Sequence, residues 1–230
     1  LLPKRLPAMP GYEISAIYKA ARTVGGDYYD VIPSGNKVHL IVGDVAGKGI
    51  PGLVGMTLAR NAIRYSMGTE ASPQKLLVQA NDLIFDDLAP TMFITVFHAV
   101  LNPAAKTLVC CNAGHHPLAV YRAGSKTIQR VGGEGIAFRI ARGAQMAEGL
   151  KEETTLLAPG DIALLYTDGA NEAMDPDYKQ FGEDRLEWAM IRHAGLPAEN
   201  FVRAILKEIE DFRKGAEPND DLTMLALKAV

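Results

Sequence analysis

Four aspartates stand where carboxylates are costly. Asp27 follows Gly25-Gly26, Asp44 lies in Gly43-Asp44-Val45-Ala46-Gly47, Asp168 in Thr167-Asp168-Gly169, and Asp220 in Asn219-Asp220-Asp221. Each borders a strongly apolar run, where an unpaired charge is unfavourable. Taken singly, any of them fits the ordinary preference of Asp for turns beside glycine. Taken together, carboxylates converging at one end of a fold repel one another unless cations neutralise them. No His or Cys stands at metal-ligand spacing, so the donors are oxygens, which suit Mg²⁺ or Mn²⁺ over zinc. Two such ions about 3.5–4 Å apart can generate hydroxide and clamp a phosphate for in-line attack. Phosphate-ester hydrolysis is the chemistry this set points to.

The elements that must position these residues are readable from hydrophobic period and turn chemistry. Strands are predicted over 12–19, 27–32 and 37–43, the last two joined by Pro33-Ser34-Gly35-Asn36. Helices follow over 51–67 and 73–88, the second opened by Ser72 as N-cap and Pro73 at the first helical position. Strands resume over 91–101, 106–112 and 118–122, residues 124–150 carry no clear period, and strands over 152–157 and 161–167 flank Ala158-Pro159-Gly160. Two amphipathic helices, marked by Leu186/Ala189/Met190/His193 and Phe201/Ala204/Ile205/Ile209/Phe212, precede a last strand over 222–230. The order predicts an α+β fold of two packed antiparallel sheets with helices outside.

Composition sets the bounds. The 230 residues are 48% hydrophobic and 22% charged, with 24 basic against 27 acidic side chains and a net charge of −3. This describes one globular domain without the basic excess that a nucleic-acid binder needs. The longest apolar run, Met92 to Leu101, is too short to span a bilayer, so no membrane contact is expected. Cys110 and Cys111 are adjacent, which disulfide geometry disfavours, and are read as free thiols in keeping with a reducing cytoplasm. With period two, one of them should face inward and the other outward. Residues 1–11 hold three prolines and read as the end of a connector from an upstream region, with the globular domain over 12–230.

Six motifs in order carry a resemblance: Gly-Gly-Asp-Tyr-Tyr-Asp (25–30), Gly-Asp-Val-Ala-Gly-Lys-Gly (43–49), Asn-Ala-Gly-His-His-Pro (112–117), Tyr-Thr-Asp-Gly (166–169), Phe-Gly-Glu-Asp-Arg-Leu (181–186) and Asp-Asp-Leu-Thr (220–223). The chain resembles the SpoIIE or RsbU-like branch of the metal-dependent PP2C-like serine/threonine phosphatases over its whole length. The resemblance implies an αββα sandwich with two Mn²⁺ or Mg²⁺ ions at one edge. It implies that Asp44 bridges both ions, the Val45 carbonyl ligates one, Asp168 and Asp220 hold the other, and Asp27 completes the cluster directly or through water. The implied reaction is hydrolysis of phosphoserine or phosphothreonine by a hydroxide bridging the ions. Its implied substrate is a small anti-sigma-factor antagonist of the STAS type, in a partner-switching pathway of sigma-factor control. An upstream sensor or receiver domain and a homodimer are further partners of that kind.

Where eukaryotic members carry a histidine two residues after the bridging aspartate, this chain has Ala46, which leaves the proton donor open. His115 is one candidate, against a structural role in the turn ended by Pro117. Arg22 is a candidate phosphate clamp, against a solvated surface arginine. Glu172 stands where some members hold a third metal, against an exposed loop carboxylate. Asp30 and Asp221 read as structural groups serving turn backbone. Gly47-Lys48-Gly49-Ile50-Pro51-Gly52 matches G-x-G-x-x-G and raises a dinucleotide site, but a second helix follows where a parallel strand is needed. A catalytically weak phosphoprotein-binding module is the alternative from another class, and all four aspartates argue against it.

Overall fold

The computed structural model describes residues 2–47, 49–68 and 72–230. Leu1 of the expected connector and Lys48 of the Gly43–Gly49 motif lie outside the described residues. Ten strands form two five-stranded sheets, each antiparallel throughout. One sheet orders β1 (Tyr12–Lys19), β10 (Leu222–Ala229), β9 (Ile162–Tyr166), β6 (Leu118–Arg122) and β7 (Thr127–Val131). The other orders β2 (Tyr28–Ser34), β3 (Lys37–Val45), β4 (Ile94–Asn102), β5 (Thr107–Ala113) and β8 (Glu152–Leu156). Helices α1 (Ile50–Ser66), α2 (Pro73–Ile84) and the short α3 (Gly143–Gly149) belong with the second sheet, while α5 (Glu183–His193) and α6 (Ala198–Arg213) cover the first. A single turn, α4 (Asp168–Asn171), follows β9. The architecture is the expected αββα sandwich of two antiparallel sheets with helices outside.

Strands covered on both faces read as near-continuous apolar runs, and β3 shows the consequence. Val38, Leu40 and Val42 enter the core between the sheets, whereas Ile41 and Val45 meet the helix layer. Cys110 and Cys111 divide in the same way, one between the sheets and one toward the helices. Both thiols are free and buried, and burial raises both, Cys111 to about 12.

Residues 124–150 contain β7 and α3. Among the described residues no strands pair in parallel, in agreement with the rejection of a dinucleotide site. In the proline-bearing start, Leu2, Leu6 and Met9 pack on the core. Among the described residues no helix is long and apolar enough to cross a membrane.

The register brings the aspartates together. Antiparallel pairing of Tyr28 with Gly43, and of Met224 with Tyr166, puts the start of one strand beside the end of its neighbour. Asp27 just before β2, Asp44 near the end of β3, Asp168 just after β9 and Asp220 just before β10 thus share one end of the sandwich.

Candidate active site

A cleft of about 430 Å³ opens at that end and is lined by Asp44, Asp168 and Asp220, together with Arg22, Thr95 and His116. Asp27 lies beneath it, 1% exposed. Its Oδ2 accepts the hydroxyl protons of Thr167 at 2.7 Å and Thr223 at 2.5 Å, which joins it to the ends of β9 and β10 in the facing sheet. Burial, and then the charge of Asp44, push the Asp27 carboxyl well above the usual carboxylate range. Asp44 is raised to about 7, first by burial and then by Asp168 and Asp220, while a hydrogen bond with Asp27 opposes the rise. Burial and the neighbouring charge thus oppose ionisation of both carboxyls. Asp168 is raised by burial, by Asp220 and by Glu172, and His116 partly offsets this.

These are signs of a cation site. Asp168 Oδ1 is buried without a hydrogen-bond partner, which is unfavourable for a polar atom unless something else satisfies it. Asp44 and Asp168 are both raised by neighbouring carboxylates, in a cleft whose donors are oxygens, the set preferred by hard divalent ions. Among the described residues no three His, Cys, Asp or Glu side chains close on one point as they stand. Mutual repulsion of the carboxylates accounts for such an open arrangement.

The glycines of the first motif permit a close approach. A Cβ at Gly25 would stand 2.0 Å from Asp221 Oδ2, and one at Gly26 would stand 3.1 Å from the Val45 carbonyl. Asp221 holds this loop by accepting from Ala21 N and Gly26 N, each at 2.8 Å. The Val45 carbonyl consequently lies against the segment that leads into Asp27. Asp30 faces the helix layer and accepts from Tyr28 Oη at 2.8 Å and Arg64 Nε at 2.8 Å, tying β2 to α1 away from the cleft.

Three expected residues fall out differently. Arg22 is exposed at the cleft rim and has no hydrogen bond or ion pair among the described residues. Glu172 lies outside the cleft lining, yet its charge reaches Asp168. His115 is corrected as a proton donor, because both its ring nitrogens are engaged in the wall: Nδ1 with Thr95 Oγ1 at 2.8 Å and Nε2 with the Tyr166 carbonyl at 3.0 Å. A carbonyl only accepts, so Nε2 carries the proton and Nδ1 accepts from the threonine. Burial, and then His116, lower His115 to about 3. Its backbone is clamped by Asn112, whose side chain accepts from His115 N at 2.7 Å and donates to His115 O at 2.9 Å.

The residues missed by sequence reasoning are the threonines and the second histidine. Thr167 and Thr223 lie inside quoted motifs, and their signal is strand period: each shares the inward face with Leu165 or Leu225. For His116 the sequence offers no signal, because a turn separates it from any strand period.

The fold is similar to that of known structures. The SiaA PP2C domain of Pseudomonas aeruginosa superposes with a TM-score of 0.81 at 21% identity, covering 94% of this chain and 84% of that one. The catalytic domain of the serine/threonine protein phosphatase PstP in complex with two manganese ions gives a TM-score of 0.69 at 13% identity, covering 95% and 98%. In sequence, the phosphoserine phosphatase RsbU of Bacillus subtilis (strain 168) is 26% identical over 235 residues, which take in 99% of this chain but only 66% of that protein's length. The family model described as Stage II sporulation protein E matches residues 34–230. A match over most of the chain, on the fold and motif order described above, makes this domain a member of the SpoIIE family.

Proposed function

We propose that the domain is a divalent-metal-dependent protein serine/threonine phosphatase. The observation that carries the reading is the convergence of Asp27, Asp44, Asp168 and Asp220 at one end of the sandwich, with a buried Asp168 oxygen lacking a partner. Asp44, Asp168 and Asp220, with the Val45 carbonyl and with Asp27 behind them, are the groups that would hold two Mg²⁺ or Mn²⁺ ions. Such ions, when bound, polarise phosphoryl oxygens and lower the pKa of a bound water.

The chain's own residues do the rest. Asp27, fixed by Thr167 and Thr223, sets the position of Asp44. Asp221 holds the loop that carries Arg22 to the rim, where the guanidinium fork can take two phosphoryl oxygens. A third ion, were one bound, would draw on Glu172, whose charge reaches Asp168.

The substrate we propose is phosphoserine or phosphothreonine on a small regulatory protein of the anti-sigma-factor antagonist type, in a partner-switching pathway. The likeness to the phosphoserine phosphatase RsbU supports this. An upstream sensor or receiver region, a homodimer and a cytoplasmic setting belong to the same proposal. The test is Mn²⁺-dependent phosphate release from a phosphoserine-bearing antagonist protein, with Asp44→Ala and Asp168→Ala as controls. Release by the unaltered domain and its loss in both variants is the expected result. A domain that binds the phosphoprotein and releases no phosphate at any Mn²⁺ concentration would be a binding module instead.

A further inference from the structure

The proposed reaction leaves a strongly basic seryl oxygen, and none of the residues assigned so far protonates it. Among the described residues lining the cleft, the only side chains that ordinarily titrate near neutrality are His115 and His116. The N–H of His115 is committed to the Tyr166 carbonyl. His116 is arranged differently. Its ring stacks on Tyr166 with centroids 5.3 Å apart and planes 18° from parallel. Its Nδ1 lies 3.8 Å from Glu183 Oε1, and its side chain is 31% exposed, on the cleft wall. Nε2 has no hydrogen-bond partner among the described residues.

The seat beneath the ring is fixed. Glu183 accepts from Tyr166 Oη at 2.8 and 3.0 Å, from Asn171 Nδ2 at 2.9 Å and from Arg130 Nη2 at 2.5 Å. The carboxylate cannot swing away, and the aromatic face of Tyr166 limits ring rotation. A fixed carboxylate 3.8 Å from Nδ1, an ion-pair contact and not a hydrogen bond, holds that side of the ring and leaves Nε2 for proton transfer.

Resting on the phosphatase reading, we propose that His116 is the proton donor to the leaving serine or threonine oxygen, with Glu183 as its positioning residue. A water-derived oxygen bonds to phosphorus, the P–O bond to the side chain breaks, and its electron pair leaves on the seryl oxygen. The imidazolium of His116 gives its Nε2 proton to that oxygen, releasing the alcohol, and the neutral imidazole takes a proton back from solvent.

The test uses the leaving group as the readout. His116→Ala and His116→Gln are compared with the unaltered domain on a phosphoserine protein and on p-nitrophenyl phosphate, whose nitrophenolate departs without protonation. The expected result in both variants is a fall of about 10²-fold or more in kcat on phosphoserine with KM changed less than about threefold. On p-nitrophenyl phosphate kcat should fall only a few fold, and across a series of aryl phosphates the rate should depend more steeply on leaving-group pKa. Equal losses on both substrates would make His116 a structural residue, and unchanged rates on both would remove it from the reaction; either overturns the proposal. If the unaltered domain hydrolyses neither substrate with Mn²⁺, the phosphatase reading itself fails and this proposal falls with it.

Discussion

Gly169, immediately after Asp168, is a position where a single methyl group should disturb the carboxylate cluster directly. A Cβ there would stand 1.9 Å from the Asp221 carbonyl oxygen and 2.6 Å from its carbon, where ordinary contact begins at 3.4 Å. The obstacle is backbone, not the end of a flexible side chain, so in Gly169→Ala α4 and the 220–222 segment must part by about 1.5 Å. That gap opens between the carriers of Asp168 and Asp220. Thr167, whose hydroxyl proton goes to Asp27 and whose Oγ1 accepts from Thr223 N at 2.9 Å, limits how the strain can spread. Overpacking of this kind costs about 1–3 kcal/mol, and a displacement near 1 Å at a catalytic constellation costs about 10²-fold in rate. Gly169→Ala should fold with a lowered midpoint in urea, bind Mn²⁺ more weakly by calorimetry, and lose about 10²-fold in kcat. Activity and Mn²⁺ affinity within about twofold of the unaltered domain would refute the reasoning that this glycine sets the carboxylate spacing.

Other outcomes follow from the charges. Asp44 is raised from 3.8 to about 7 by burial and its neighbours, so its contribution to stability is present below about pH 4 and lost as pH rises through 7. In chelator at pH 8, Asp44→Asn should therefore be more stable than the unaltered domain by about 2–4 kcal/mol, and the gap should close toward pH 4 in urea titrations. The buried pair His39 and His98, with Nδ1 and Nε2 2.9 Å apart, acts in the opposite sense. Burial lowers them to about 4 and about 3, His39 further by Lys37 and His98 further by His39. Stability should thus be kept above about pH 6.5 and fall on acidification, by about 2 kcal/mol per histidine at pH 5, with a shallower acid limb in His98→Phe. Arg22→Ala should raise KM for a phosphoprotein about tenfold and leave the urea midpoint unchanged, since the side chain has no partner to lose.

The parts of this fold that are legible from sequence are those whose local chemistry and tertiary environment agree. The β2–β3 hairpin was expected from Pro33-Ser34-Gly35-Asn36, and α2 begins where Ser72 accepts from Lys75 N with Pro73 behind it. The region 124–150 resisted reading because β7 is an edge strand that buries only Val131 fully, and α3 is a seven-residue helix that buries only Met146. Neither offers enough periods to register. The Ala158-Pro159-Gly160 turn marks a boundary correctly, but nothing in it tells that β8 and β9 belong to different sheets. The aspartates stood out because carboxylates beside apolar strands are chemically out of place. Between His115 and His116 the distinction lies in partners distant in sequence, Thr95 and the Tyr166 carbonyl for one and the Tyr166 ring and Glu183 for the other.

The central claim is that cation binding and phosphate-ester hydrolysis share this one cluster of carboxylates. The most direct measurement is to follow bound Mn²⁺, by the loss of the free-ion paramagnetic resonance signal, together with phosphate release from a phosphoserine protein in the same samples. The domain is compared with Asp44→Asn and Asp168→Asn. The account predicts that release rises in step with Mn²⁺ occupancy in the unaltered domain, and that each variant loses both while keeping its fold. Full Mn²⁺ binding, or full hydrolysis, in either variant would contradict it.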